Sequence, residues 1–277
     1  MAGVTTYDRV HLVVCLGGAP DAHLLQRIGE VCGVSSYDLR LRLKGDLPRP
    51  LVCCESIEAA EAKALQLNDA GLTTIVYVQN DLPTAEPFHA IALARTKTTL
   101  RIRDRCASID VAAPDIALLV YGRRMLTRET QEFKPPTWIF PSDVVTRGLT
   151  MALSGGMHKS RYETGGQEFL MFFRRDPRLP AIEIGQEGFD FQCLGKHRGR
   201  TRQESLELVV AALRRLLPDV PFDDRLMRGQ SNNRGEAFYN RRMVDDSGTA
   251  NATLIYWQML AEQSGRRHFT APQVSRG

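Results

Sequence analysis

The chain has 277 residues, 43% of them hydrophobic and 25% charged, and a formal net charge of +4. Its length suggests two domains, with one or three as alternatives, and its composition supplies enough apolar material for real cores. No apolar run approaches the roughly 20 residues that span a bilayer, and the mild positive charge falls short of the excess expected of a dedicated nucleic-acid binder. The stretch from Met1 to Val13 lacks a basic segment leading into an apolar core, so no secretory signal is expected and the chain reads as cytoplasmic. Its six cysteines (Cys15, Cys32, Cys53, Cys54, Cys106 and Cys193) lie mostly in apolar strand-like or helical segments. They read as small buried hydrophobes, with no disulfide framework expected.

In chain order, Arg9 to Leu16 reads as a strand, broken by Gly17, Gly18 and Pro20. Asp21 then caps a helix carrying Leu24, Leu25, Ile28, Val31 and Cys32, which stops at Gly33. Between Ser36 and Lys44, Leu39, Leu41 and Leu43 alternate with Arg40, Arg42 and Lys44 in strand fashion, yet Ser35 or Ser36 equally fits the cap of a short helix. Pro48 and Pro50 enforce an extended stretch into Val52 and Cys53. Ser56 caps a second helix, rich in strong formers and closed by Gly71, and Thr73 to Val78 is a β-branched strand. These elements fit a small α/β sandwich over residues 1–79, with its helices on one face of a sheet.

The run GVSSYDLRLRLKGDLPRPLVCCESIEAAEAKALQLNDAGLTTIVYV resembles the C-terminal domain of the bacterial ribosomal stalk protein. Shared features are a Gly-led helix, a proline-punctuated stretch ending in valine, a Ser-capped Glu/Ala helix, an Ala-Gly pair and a β-branched strand. Within residues 9–79 the resemblance implies a fold and a protein-docking module. Translation-factor binding is not carried over, because Ser35 to Arg42 holds Tyr37 and Asp38 where the family's helix is lysine-rich.

Residues 80–87, polar and with two prolines, read as a linker. Strand candidates follow at Phe88 to Ala94, Thr98 to Arg103, Ala107 to Val111, Ile116 to Tyr121, Phe169 to Phe173 and Ala181 to Ile184, with Phe189 and Phe191 alternating after them. The segment 123–166 between them reads as an insertion with Pro135, Pro136 and Pro141 and a short helix from Ser142 to Leu153. Thr201 and Glu204 form a capping box that opens a helix over 201–217, lined by Leu206, Val209, Val210, Leu213, Leu216 and Leu217 and ended by Pro218. Several short strands closed by one amphipathic helix loosely resemble, over residues 88–217, a pleckstrin-homology-like domain; the likeness is one of element order. Residues 223–277 read as a polar extension with a helix at 250–263 (apolar face Leu254, Trp257, Met259 and Leu260) and a basic tail. The expected class is therefore α+β: a small α/β sandwich, then a mainly β domain over 88–222 with a closing helix.

Chemistry is thin in this sequence. Cys193 and His197 have a metal-like spacing but lack two further ligands, adjacent Cys53 and Cys54 lack redox spacing, and SGGMHKS over 154–160 fails the phosphate-loop pattern at His158. Gly17 and Gly18 read as a tight turn rather than a phosphate cradle, because Asp21 would repel the anion. No catalytic, cofactor or metal site is expected. Basic residues do cluster: Arg101, Arg103 and Arg105, then Lys196, Arg198, Arg200 and Arg202, a candidate anion-binding set if the two groups converge. The reading is a non-enzymatic interaction or regulatory protein with two docking modules and a protein partner, within an assembly. One alternative is an anion-surface binder for nucleic acid or acidic membrane. Another is an enzyme whose residues the sequence does not identify, for which His158, Lys159 and Glu163 in the insertion are the first places to look.

Overall fold

The computed structural model describes residues 10–15, 20–43, 45–78, 87–96, 99–133, 158–228, 247–265 and 268–270. In the first sheet β1 (Val10–Cys15) is antiparallel to both β2 (Arg49–Cys54) and β3 (Thr73–Val78). Helix α1 (Ala22–Cys32) starts where Asp21 accepts the Leu24 amide at 2.7 Å and stops at Gly33, whose φ of 69° is left-handed. The segment that fits either strand or helix is helical: α2 (Ser36–Arg42), with the Ser35 hydroxyl accepting from the Asp38 amide. Leu39 and Leu43, four residues apart, are buried while Leu41 is 61% exposed, so the leucines divide at helical spacing. α3 (Ile57–Asp69) begins at Ser56, whose hydroxyl accepts from the Ala59 amide. Helical Ile28, Leu39 and Leu67 pack with Leu51 and Val76 into one core, so three helices cover this face of the sheet.

Ahead of the main sheet, β4 (Phe88–His89) and β5 (Ala92–Arg95) replace the single strand expected from Phe88 to Ala94. They join different sheets. β5, β6 (Thr99–Arg103) and β7 (Ser108–Ala112) form an antiparallel three-stranded sheet. A five-stranded sheet has the order β11-β8-β9-β10-β4, built from β8 (Ile116–Phe133), β9 (His158–Arg174), β10 (Ile182–Gly185) and β11 (Phe222–Asp223). β8 and β9 run well into the expected insertion. Their register sets Arg128 opposite Glu163 and Glu132 opposite Lys159. The helix expected at Ser142 to Leu153 lies outside the described residues, as does all but the last residue of linker 80–87.

Each face of the five-stranded sheet meets a different partner. On one face α4 (Arg202–Leu216) buries Leu206, Val209 and Leu213 against Leu119, Leu170 and Phe172. Its capping box is formed as the sequence requires: the Thr201 hydroxyl accepts from the Glu204 amide at 3.0 Å and the Glu204 carboxylate accepts from the Thr201 amide at 3.3 Å. Phe189 and Phe191 also enter this core, edge to face with centroids 5.0 Å apart; Phe191 opens a 3-10 stretch, Phe191–His197, rather than a strand.

On the opposite face lies α6 (Ser247–Gln263), whose consecutive residues Ala252 to Gln258 are all buried. The sequence sets this helix in a polar extension with one apolar face. In the structure it fills the space between β3 and β8, where Trp257 and Tyr256 pack with Ile75, Tyr77, Phe169 and Phe173. Seven consecutive buried residues, polar Thr253 and Gln258 among them, put every side of this stretch of the helix in the core. β12 (His268–Thr270) then adds to the free edge of β3, in parallel, completing the first sheet as β12-β3-β1-β2. Short α5 (Arg225–Arg228) lays Leu226 on Gly122, where a Cβ would stand 2.8 Å from the leucine's own Cβ. From α5, Arg225 bonds Asp223 at 2.8 Å, the Asp46 carbonyl at 2.6 Å and the Gln258 side chain at 3.2 Å. One guanidinium thus joins the N-terminal module, the β11–α5 turn and α6.

Candidate functional site

The basic residues singled out in the sequence fall on two tracks beside β5. On the first, β6 alternates: Leu100 and Ile102 point into the core, and Arg101 and Arg103 stand on the other face. The second is the 3-10 stretch, the extended segment after it and the first residue of α4, carrying Lys196, Arg198, Arg200 and Arg202. The backbone of Ile91 fixes the two together. Its amide donates to the Arg103 carbonyl and its carbonyl accepts from the Asp190 amide, both at 2.7 Å. β5 packs beside the 3-10 stretch, and its residues opposite Arg101 and Arg103 are Ala94 and Ala92. The strand between the tracks therefore presents only small side chains on the arginine face.

The backbone bearing the second track is firmly held. Gly195 takes a φ of 52°, which L side chains rarely adopt. Gly199 crosses the first turn of α4 so closely that a Cβ would lie 2.6 Å from that of Glu204. Ser205 donates back to the Thr201 carbonyl at 2.8 Å. These contacts fix the path of Arg198 to Thr201 before any ligand arrives.

Carboxylates lie nearby but are engaged elsewhere. Asp104 accepts the amides of Cys106 and Ala107, Asp190 accepts that of Gln192, and Glu204 accepts those of Arg200 and Thr201. These acids keep their charge, so local net charge is smaller than the count of cations. Each nonetheless bonds backbone amides through one oxygen and forms no ion pair with a guanidinium group among the described residues. Two of the seven basic residues are themselves engaged. Arg101 forms a bidentate pair with Asp110 at 2.8 and 3.0 Å, and its hydrogen bonds hold the Asp110 carboxyl below the usual range. Arg202 reaches the carbonyls of Gln186 and Phe189, each at 3.4 Å. Arg103, Arg105, Lys196, Arg198 and Arg200 are exposed and make no side-chain hydrogen bond or ion pair among the described residues.

The other sequence candidates are dispersed. His158, Lys159 and Glu163 lie on β9, and their side chains fall outside the described residues, as do Gly17, Gly18 and residues 154–157. Cys193 and His197 are both exposed in the 3-10 stretch, and the described residues hold no group of three His, Cys, Asp or Glu side chains placed for a metal. A cleft of about 130 Å³ beside Arg95, Thr96, Leu216 and Leu217 is below the roughly 300 Å³ at which small-molecule pockets begin.

Sequence reasoning missed the buried polar pairs of the five-stranded sheet. On the α4 face Glu168, 2% exposed, accepts from the Tyr121 hydroxyl and from the Gln203 side chain at 2.7 Å. Burial, then the bond to Glu168, raises the Tyr121 hydroxyl above its ordinary pKa. On the other face Arg124 forks onto buried Glu183 at 2.6 and 3.1 Å. The available signal was one acid within each apolar run, QEFLMFF and AIEIG. Comparison with family models, with curated proteins and with solved structures returned no match.

Proposed function

We propose that this chain is an interaction protein that holds a polyanionic partner on the cationic edge beside β5. One observation carries the reading: five cations on a pinned backbone lack acidic partners, whereas Arg101, Arg124 and Arg225 in the same molecule all have one. Unpaired guanidinium and ammonium groups retain their donors for an incoming anion, and arginine offers phosphate or carboxylate a two-pronged contact. The resemblances of residues 9–79 to the stalk C-terminal domain and of 88–217 to a pleckstrin-homology-like domain support a docking role, regulatory and cytoplasmic. Tyr37 and Leu41, 70% and 61% exposed and one turn apart on α2, support a protein contact by the N-terminal module. No helix among the described residues is long and apolar enough to cross a membrane.

Heparin chromatography of the full chain tests this reading. Wild type is expected to be retained at low salt, and R198E/R200E to elute far earlier than R27E/R40E, which changes the same charge on α1 and α2. Failure of the wild type to bind, or equal elution of the two variants, overturns the proposal.

A further inference from the structure

Resting on that reading, we infer that the polyanion is a nucleic-acid duplex, gripped through its phosphates and without regard to base sequence. Four of the five open cations are arginines (Arg103, Arg105, Arg198 and Arg200), the side chain whose planar fork matches a phosphate. They sit on two tracks with Ala92 and Ala94 between them, so a phosphodiester backbone meets no bulky side chain on the strand it would follow. Among the described residues the large exposed hydrophobics are Tyr37, Leu41, Leu65, Leu179, Leu208 and Leu216, and none of them lies within 91–105 or 190–202.

That distribution argues against two competing partners. Single strands are held largely by bases stacked on aromatic side chains, and the aromatics of the second track, Phe189 and Phe191, are buried in the core. Peripheral membrane binders combine cations with apolar side chains that enter the acyl boundary, and no large exposed one accompanies these tracks. What remains is contact with phosphate, which positions a protein on a duplex but does not read its sequence.

The test is a titration of full-length protein against labelled duplex DNA, duplex RNA and single-stranded DNA at several salt concentrations, with sedimentation on phosphatidylserine vesicles alongside. Five phosphate contacts predict that log affinity falls against log salt with a slope of about −4.5 for B-form duplex. R198A/R200A removes two contacts and should reduce the slope to about −2.7, by the same relation. Both side chains are exposed and make no side-chain bonds, so the variant's melting curve should match wild type. DNA and RNA duplexes bound alike would assign the phosphodiester backbone itself as the ligand; a preference for one would assign that duplex. Binding to vesicles without duplex, tighter binding of the single strand, or a slope unchanged in R198A/R200A would overturn the inference. Retention on heparin with no duplex binding would sink it and leave the broader proposal standing.

Discussion

The seam around α6 and the cationic edge beside β5 use the same residue types in opposite ways. In the seam two arginines have firm counterparts: Arg225 holds Asp223, Gln258 and the Asp46 carbonyl, and Arg124 holds Glu183. At the edge, arginines stand in water while neighbouring acids bond to backbone amides. Charge in the first region fixes how the two modules meet. In the second it is left available. The chain thus separates groups that hold the fold from groups free to bind, and mutations in the two regions should have separable effects.

The largest effect should come from the seam. Trp257→Ala removes a side chain that is 2% exposed and lines the core shared by both modules, so a loss of about 3–5 kcal/mol is expected in denaturant titrations. Glu183→Ala leaves Arg124 without its partner beneath Phe169 and should cost about 3 kcal/mol. A loss below about 1 kcal/mol in either case would break the comparison, because the seam would then not be the structural region. Thr201→Ala, which removes half the capping box beside the edge, should cost about 1 kcal/mol. Arg103→Ala should change stability by less than about 0.5 kcal/mol while weakening heparin retention.

The sharpest solution probe of the seam is alkaline pH. Burial raises the Tyr77 and Tyr256 hydroxyls of the seam to about 12. An unfolded tyrosine releases its proton near pH 10, by which point the folded protein still holds these two. Between those values the unfolded state binds fewer protons, so stability should be complete below about pH 10 and fall as pH rises further. Ultraviolet titration should show these phenols ionising late. Their ionisation near pH 10 with the fold intact would contradict the burial described for the seam.

Much of the local structure was legible because it rests on local chemistry. Asp21, Ser56 and the Thr201–Glu204 box cap helices where the sequence puts them, since each cap needs only residues within one turn. The outer reach of β8 and β9 was not legible. Residues 123–133 and 158–166 lack apolar alternation, and the register joins positions far apart in sequence, from 25 residues at Phe133 and His158 to 43 at Arg124 and Gln167. Helix α6 was recognised but misplaced, because the polar run before it masked a stretch, Ala252 to Gln258, that is buried on every side. For the edge, clustering of basic residues was visible in sequence. That Arg101 is engaged depends on the register setting it across from Asp110, and that Arg202 is engaged depends on the turn at Gln186 to Phe189.

The most direct test of the separation is the rise in melting temperature caused by heparin in wild type, Arg225→Ala and R198A/R200A. Arg225→Ala should melt lower than wild type yet gain as much from heparin, while R198A/R200A should melt like wild type and gain far less. A full gain in R198A/R200A, or loss of the gain in Arg225→Ala alone, would contradict the account.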